Sequence, residues 1–221
     1  MEGTNLNQNI EISIIIPLYN REKSIERLLK KISEQEYDLQ KIEVIVSDDK
    51  STDQSLEIAK TYNQYIPNLV ILESTKNSGG ASVPRNKALE VAQGKWILFI
   101  DSDDYITTNA LKNAMNIAKN TNDDMICMPY FRDANSNRPI SRSAFCYKET
   151  KSNLKFENTK LYNTLNVIGK LIKRSIIEDY NIRFPEGIKV REDNWFLMQV
   201  YSVVNTITIL GYENDYYFYE T

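Results

Sequence analysis

Histidine does not occur anywhere in the 221 residues. Its absence excludes His-ligated zinc, histidine general bases and Ser-His-Asp triads together. Cysteine is nearly absent too: only Cys127 and Cys146 could form a disulfide. Two cysteines without a secretory leader favour a reducing, cytoplasmic setting. Residues 1–11 carry neither a basic n-region nor an apolar core, so they read as a flexible segment rather than a signal peptide. No apolar run approaches the roughly 20 residues of a membrane span, which leaves at most a peripheral association with the inner membrane face. A net charge of −3 supplies no basic field for nucleic acid. Internal repeats and low-complexity tracts are also missing. The remaining composition, 42% hydrophobic and 26% charged, is that of a globular chain, and 221 residues suffice for one sizeable core.

The most informative stretch runs from Lys95 to Asp104. Five apolar residues, Trp96 to Ile100, lead into Asp101, Asp103 and Asp104. An apolar run this short, preceded by Gly94, reads as a strand buried on both faces. Ligands of open α/β sheets gather beyond the carboxyl ends of such strands. In an extended segment Asp101 and Asp103 point the same way, and they repel unless a cation or water lies between them. Two readings follow: a divalent-metal site for a phosphorylated ligand, or a solvated acidic turn that caps the next helix.

A β-α rhythm surrounds this stretch. Ile12–Ile16 is a buried strand stopped by Pro17, and Ile25, Leu28, Leu29 and Ile32 mark a helix over 24–32. Ile42–Val46 is a strand running into Asp48 and Asp49. Ser51, Thr52 or Asp53 caps a helix whose apolar face is Leu56 and Ala59, which leaves Asp48 and Asp49 to meet a ligand. After a strand at Leu69–Leu72 comes Asn77-Ser-Gly-Gly80. Pro84 and Arg85 then open a helix through Ala92 that Gly94 ends, and a helix N-terminus beside Arg85 suits an anion. A helix over 107–119 capped by Thr107 or Thr108, and a strand at Met125–Met128, follow. The rhythm is lost over 131–160, where an excursion strand is expected around Phe145–Lys148. It returns at Leu171–Ile177, with a helix carrying Glu192 and Asp193 in its first turn and closing strands at 206–210 and 216–219. Acidic residues in a first turn are favoured by the helix dipole whatever their function. Trp195, Phe196 and Tyr201 read as core. Tyr212, Tyr216, Tyr217 and Tyr219 could stack on an acceptor, although strand alternation also explains them. The pattern predicts an α/β fold with a mainly parallel central sheet and helices on both faces.

Five motifs then stand in a telling order: Ile14-Ile-Ile-Pro-Leu-Tyr-Asn20, Val46-Ser-Asp-Asp-Lys-Ser-Thr-Asp53, Asn77-Ser-Gly-Gly80 with Pro84-Arg-Asn86, Phe99-Ile-Asp-Ser-Asp-Asp104, and Arg191-Glu-Asp193. Together they resemble the inverting glycosyltransferase family 2, which has the GT-A nucleotide-sugar fold. Within it, the Asn-Ser-Gly-Gly, Pro-Arg-Asn and Phe184-Pro-Glu elements look closest to wall-teichoic-acid N-acetylglucosaminyltransferases. The resemblance spans about Ile12 to Tyr219 and implies a single domain over 12–221. Residues 12–130 would form its nucleotide-sugar half and 131–221 a smaller acceptor-side half, with further domains expected in a longer chain.

Site roles follow from that resemblance. Pro17, Tyr19 and Asn20 match the loop that holds uracil, and Asp49 the carboxylate that accepts from the base. Asn77 and Arg85 match positions near the base and diphosphate. Asp101-Ser102-Asp103 matches the metal-binding D-x-D, with Asp103 the direct ligand of Mn²⁺ or Mg²⁺. Asp193 matches the catalytic base, and Glu192 orients the acceptor or the pocket. The implied partners are a UDP-sugar, UDP-GlcNAc among them, and a hydroxyl of a cell-surface glycan or glycopolymer. Glu192-Asp193-Asn194-Trp195 lacks the basic tail motif of processive members, which favours transfer of one residue at a time. Three rival readings stand beside it. A sugar-nucleotide pyrophosphorylase would carry a Gly-rich loop where Pro17-Leu-Tyr-Asn20 stands. A receiver-like signalling domain would leave Asp101, Asp103 and Glu192-Asp193 unexplained. A degenerate nucleotide-sugar binder differs from the enzyme only in turnover. For single residues, Tyr19 could be a plain surface ring and Arg85 a plain surface ion pair.

Overall fold

The structure is a computed structural model that describes residues 10–132, 146–188, 190–212 and 217–219. Eight strands form one sheet: β1 (Ile12–Leu18), β2 (Ile42–Asp48), β3 (Leu69–Glu73), β4 (Trp96–Phe99), β6 (Met125–Cys127), β8 (Lys151–Leu154), β9 (Lys170–Lys173) and β10 (Ile207–Ile209). They lie in the order β3-β2-β1-β4-β9-β6-β10-β8. β9 and β8 run against the other six, so the sheet is mostly parallel. A second, three-stranded sheet joins β5 (Tyr105–Ile106), β11 (Tyr217–Tyr219) and β7 (Tyr130–Arg132).

Every residue of β1 and β2 is buried, polar Ser13 and Glu43 included, which requires cover on both faces of the sheet. The helices supply it: α1 (Ile25–Ser33), α2 (Ser55–Thr61), α3 (Ser82–Val91), α4 (Ala110–Asn120), α5 (Arg174–Asp179) and α6 (Glu192–Val203). α1 buries Ile25, Leu28, Leu29 and Ile32, the predicted stripe. α3 packs on β1 and β2, and α5 on β9 and α6. β9, from the later part of the chain, lies between β4 and β6, so both parts of the sequence build one sheet.

Several local expectations are corrected. Asp101 and Asp103 do not share an extended segment: β4 ends at Phe99 and a turn follows, closed by Asp104 N–H donating to Asp101 O at 2.9 Å. The helix after it starts at Ala110 rather than Thr107, because the Thr107 carbonyl accepts from Gln35 Nε2 at 2.7 Å. The N-cap position is Asn109 rather than either threonine. The partner of Leu111 N–H is Gln35 Oε1, 76 residues away. Gly94 lies beyond Ala92, the C-cap of α3, and its role is close approach: a Cβ there would stand 2.3 Å from Ser13 N. The excursion strand is β8 at 151–154, a polar edge strand without hydrophobic alternation. Tyr147 instead lies wholly buried in a turn, edge-on to Tyr130, and Phe145 falls outside the described residues. The second helix starts at Ser55, where Asp53 Oδ1 accepts from the Ser55 N–H at 3.0 Å. That helix buries Ser55 and Ala59 and leaves Leu56 half-buried. Phe196 and Tyr201 are core, but Trp195 is 61% exposed. Tyr212 packs edge-on to Phe131, while Tyr216 is outside the described residues. Both cysteine thiols are free.

Candidate active site

A cleft of about 410 Å³ opens where β1, β2 and β4 end. Pro17, Tyr19, Arg21, Asp49, Asn77, Gly79, Gly80, Arg85, Asp101, Ser102, Asp103 and Glu192 are among its lining residues. Parallel strands of one direction bring their carboxyl ends to one edge, which is why motifs far apart in sequence converge here. Of the residues to which the resemblance gives site roles, Asn20 and Asp193 do not line the cleft.

Asn20 serves the loops instead. At φ 49° it sits in the left-handed region that asparagine tolerates, and its Oδ1 accepts from Thr52 N–H at 2.8 Å. This ties the loop after β1 to the loop after β2. Asp48 does similar work, accepting from Ser51 N–H at 3.0 Å, so of the two neighbouring aspartates only Asp49 faces the cleft. Asp49 Oδ2 accepts from Ser78 N–H at 2.8 Å and Ser78 Oγ at 2.9 Å. Its Oδ1 is buried with no hydrogen-bond partner. Asn77 donates to Asp49 O at 2.9 Å and accepts from Gly79 N–H at 2.9 Å. Gly79 needs its positive φ of 83° to make this turn. Open space lies where a Gly80 side chain would project. Tyr19 holds its ring at the cleft wall, 44% exposed.

Arg85 is the centre of charge. It is buried, and its guanidinium forks: Nη2 donates to Asp101 Oδ1 at 2.6 Å and Nη1 to Asp193 Oδ1 at 2.7 Å. Glu192 Oε1 lies 3.7 Å from Nη1. The surface-ion-pair reading of Arg85 therefore fails on burial. Burial opposes its charge, yet Asp101, Asp193 and Glu192 outweigh that and raise its pKa. The neighbouring Asn86 explains how α3 reaches α6. Its amide donates to Phe184 O at 3.0 Å and its Oδ1 accepts from Phe184 N–H at 2.9 Å, across 98 residues. Phe184 then stacks on Phe196 of α6 at 4.0 Å and lies 5.0 Å beneath the Arg85 guanidinium.

Asp193 stands just behind the cleft wall. Oδ1 is held by Arg85, and Oδ2 accepts from Val167 N–H at 3.2 Å. Burial raises its pKa, with Asp101 adding to the effect and Arg85, Val167 N–H and Lys170 opposing it. The carboxylate is thus more basic than an ordinary aspartate. Asp101 and Asp103 diverge, the first to Arg85 and the second to Arg21 Nε at 3.3 Å. Arg27 Nη2 donates to Asp103 O at 2.8 Å and supports the turn. Arg21 is a cleft residue that sequence reading missed. It follows the recognised motif by one position, and only its loop's fold turns it inward.

Among the described residues no three acidic or thiol groups cluster as a complete metal cage. Mg²⁺ and Mn²⁺ do not need one, since one or two carboxylates plus substrate phosphates suffice. Four carboxylates (Asp49, Asp101, Asp103, Glu192) face two guanidiniums (Arg21, Arg85) in the cleft lining. A diphosphate entering alone would meet excess negative charge, so the donor set fits a hard cation. Among the described residues no helix is long and apolar enough to cross a membrane.

The glycosyl transferase family 2 model matches residues 13–180. The poly(ribitol-phosphate) beta-glucosyltransferase of Bacillus spizizenii is 38% identical over 209 residues, covering 95% of this chain and 32% of that protein. The poly(ribitol-phosphate) beta-N-acetylglucosaminyltransferase TarS of Staphylococcus aureus is 36% identical over 208 residues, 94% of this chain and 35% of that protein. A crystal structure of TarS 1-349 in complex with UDP-GlcNAc superposes with a TM-score of 0.88 at 34% identity, covering 96% of this chain and 58% of that one. The mannosyltransferase PcManGT of Pyrobaculum calidifontis, in complex with GDP-Man and Mn²⁺, superposes at a TM-score of 0.69 and 20% identity, covering 93% of this chain and 56% of that one, which shows the fold alone. The chain thus spans about a third of the length of the curated relatives it matches. With the family model covering most of the chain and its own motifs lining one cleft, this protein belongs to glycosyl transferase family 2.

Proposed function

We propose that this chain is the catalytic domain of an inverting glycosyltransferase that moves a sugar from a UDP-sugar to a hydroxyl of a poly(ribitol-phosphate)-type glycopolymer. UDP-GlcNAc is the first donor to test, given the complex formed by TarS. The observation that carries the reading is the Arg85 fork, which couples the cleft's acidic turn to a partly buried aspartate of raised pKa at the start of α6.

Pro17 and the Tyr19 ring form the wall for uracil. The unpartnered Asp49 Oδ1 is an acceptor for the N–H of that base. Asn77 and Ser102 flank the nucleotide, and Arg85 stabilises diphosphate charge as the sugar leaves. Asp103 and Asp101 would hold Mn²⁺ or Mg²⁺, which supplies a Lewis acid for the leaving diphosphate. Asp193 takes the proton from the attacking alcohol, since no histidine exists to do so. Glu192, in the cleft wall, orients that alcohol. An in-line displacement inverts, so an α-linked donor yields a β-linked product, in keeping with the names of the relatives. Residues 12–130 serve the nucleotide and 131–221 the acceptor.

Transfer from UDP-GlcNAc and UDP-glucose to poly(ribitol-phosphate), measured with Mn²⁺ for the native chain and Asp193→Asn, tests this. Asp193→Asn is expected to lose transfer by about 1,000-fold or more while UDP affinity stays within about threefold. Transfer that survives the substitution removes Asp193 from the base role.

A further inference from the structure

The geometry points to Lys170 as a positioning residue for the base: its buried ammonium clamps the 166–168 turn that presents the Val167 N–H to Asp193. This rests on the assignment of Asp193 as the base.

Lys170 opens β9 and is wholly buried. A buried ammonium is costly unless its protons are well placed. Its hydrogen bonds all fall on one short segment: Nζ donates to Asn166 O at 2.6 Å, to Asn166 Oδ1 at 3.2 Å and to Ile168 O at 3.2 Å. The carbonyls on either side of Val167 are thereby drawn to the lysine. The intervening Val167 N–H donates to Asp193 Oδ2 at 3.2 Å. Gly169 closes the turn at a φ of 63°, and its carbonyl accepts from Met128 N–H at 2.7 Å, fixing the segment beyond the end of β6.

An uncharged core side chain would fill this space at lower cost, so the cation calls for a reason. The reason is reach. Lys170 lowers the pKa of Asp193 through its own charge, and the turn it holds does so through the Val167 N–H, while Arg85 acts from the opposite side. The groups facing Lys170 are Cys127, Cys146 and Asp193, with the Tyr130 ring 5.9 Å from Nζ. Those facing Asp193 are Arg85, Asp101 and Lys170. Both the orientation of the base and its proton affinity therefore depend on a residue that lies outside the cleft lining.

The test compares Lys170→Met, Lys170→Arg and Asn166→Ala with the native chain in pH profiles of kcat, normalised to folded protein. Lys170→Met is expected to lower kcat by about 10- to 100-fold, with the donor KM within about twofold. The acid limb of its profile moves to higher pH, because Asp193 loses both a cation and a hydrogen bond. Lys170→Arg keeps the acid limb near its native position. A kcat per folded molecule that is unchanged in Lys170→Met, or one that falls with an unmoved acid limb, overturns the proposal. Should Lys170→Met not fold, Asn166→Ala decides. It removes one acceptor from a half-buried site, and a smaller shift of the acid limb in the same direction supports the proposal, whereas no shift overturns it. Activity retained in Asp193→Asn would overturn the base assignment instead, so the two failures are separable.

Discussion

Arg85 Nη1 stands 2.7 Å from Asp193 Oδ1, although 108 residues separate them in sequence. The same guanidinium holds Asp101 through its other terminal nitrogen. One buried cation thus joins the loop after β4 to the first turn of α6. The two carboxylates stay in fixed relation only while that planar fork is present.

Lysine cannot reproduce the fork, because a point charge on a flexible stem does not span two carboxylates in fixed geometry. Arg85→Lys should reduce kcat/KM for transfer by about 100-fold or more. Arg85→Met, which leaves Asp193 without its cation, should also lose about 3 kcal/mol of stability. Urea unfolding beside steady-state kinetics measures both. Native-like transfer by Arg85→Lys would contradict the fork's importance.

Asp103 pairs with the half-exposed Arg21 and turns toward the cleft. Asp103→Ala should lower UDP affinity in the presence of Mn²⁺ by about 10-fold or more, while affinity without Mn²⁺ holds or rises as Arg21 is released. Calorimetric titrations with and without Mn²⁺ give the comparison. Equal loss in both conditions would show that Asp103 acts on the nucleotide without a metal.

Acid sensitivity should centre on Glu11. Burial pushes its pKa up, but the Tyr37 hydroxyl, Lys41 and Lys119 prevail and hold it at about 2, against an ordinary 4.5. A depressed carboxylate contributes stability that is complete above the unfolded value and is lost as pH falls toward the folded one. The advantage of the native chain over Glu11→Gln should be about 2 kcal/mol near neutral pH, solvent screening included. It should shrink between pH 4.5 and about 2. Urea midpoints across that range would show a constant difference if Glu11 were not responsible.

Gly94 is a packing requirement. An added Cβ would lie 2.3 Å from Ser13 N and 2.6 Å from Ile12 C, both backbone atoms of the central strand. The same turn carries Gly94 N–H donating to Ser13 Oγ at 2.8 Å, and Ser13 Oγ donating to buried Glu43 at 2.6 Å. Gly94→Ala should cost about 2 kcal/mol or more. Thermal melting with a Tm within a degree or two of native would show that β1 can yield.

Much of this protein was legible from one dimension. The runs at 12–16, 42–46 and 96–100, apolar but for Ser13 and Glu43, declared buried parallel strands, because burial on both faces leaves few polar positions. The stripe of Ile25, Leu28, Leu29 and Ile32 declared α1 for the same reason of solvent exclusion. The order of five motifs declared the family, and the parallel sheet then had to bring most of them to one edge. What the sequence could not determine were relations set by contacts between distant segments. Gln35 chose where α4 begins, and Asn86 chose where α6 meets α3. The turn after β4 sent Asp101 to Arg85 and Asp103 to Arg21, although their spacing alone suggested a shared direction. Hydrophobic period reports how each segment meets solvent. It carries no record of which distant side chain will satisfy a backbone group or a charge once water is gone. That choice belongs to the tertiary structure, and it is what unites Arg85, Asp193 and Lys170.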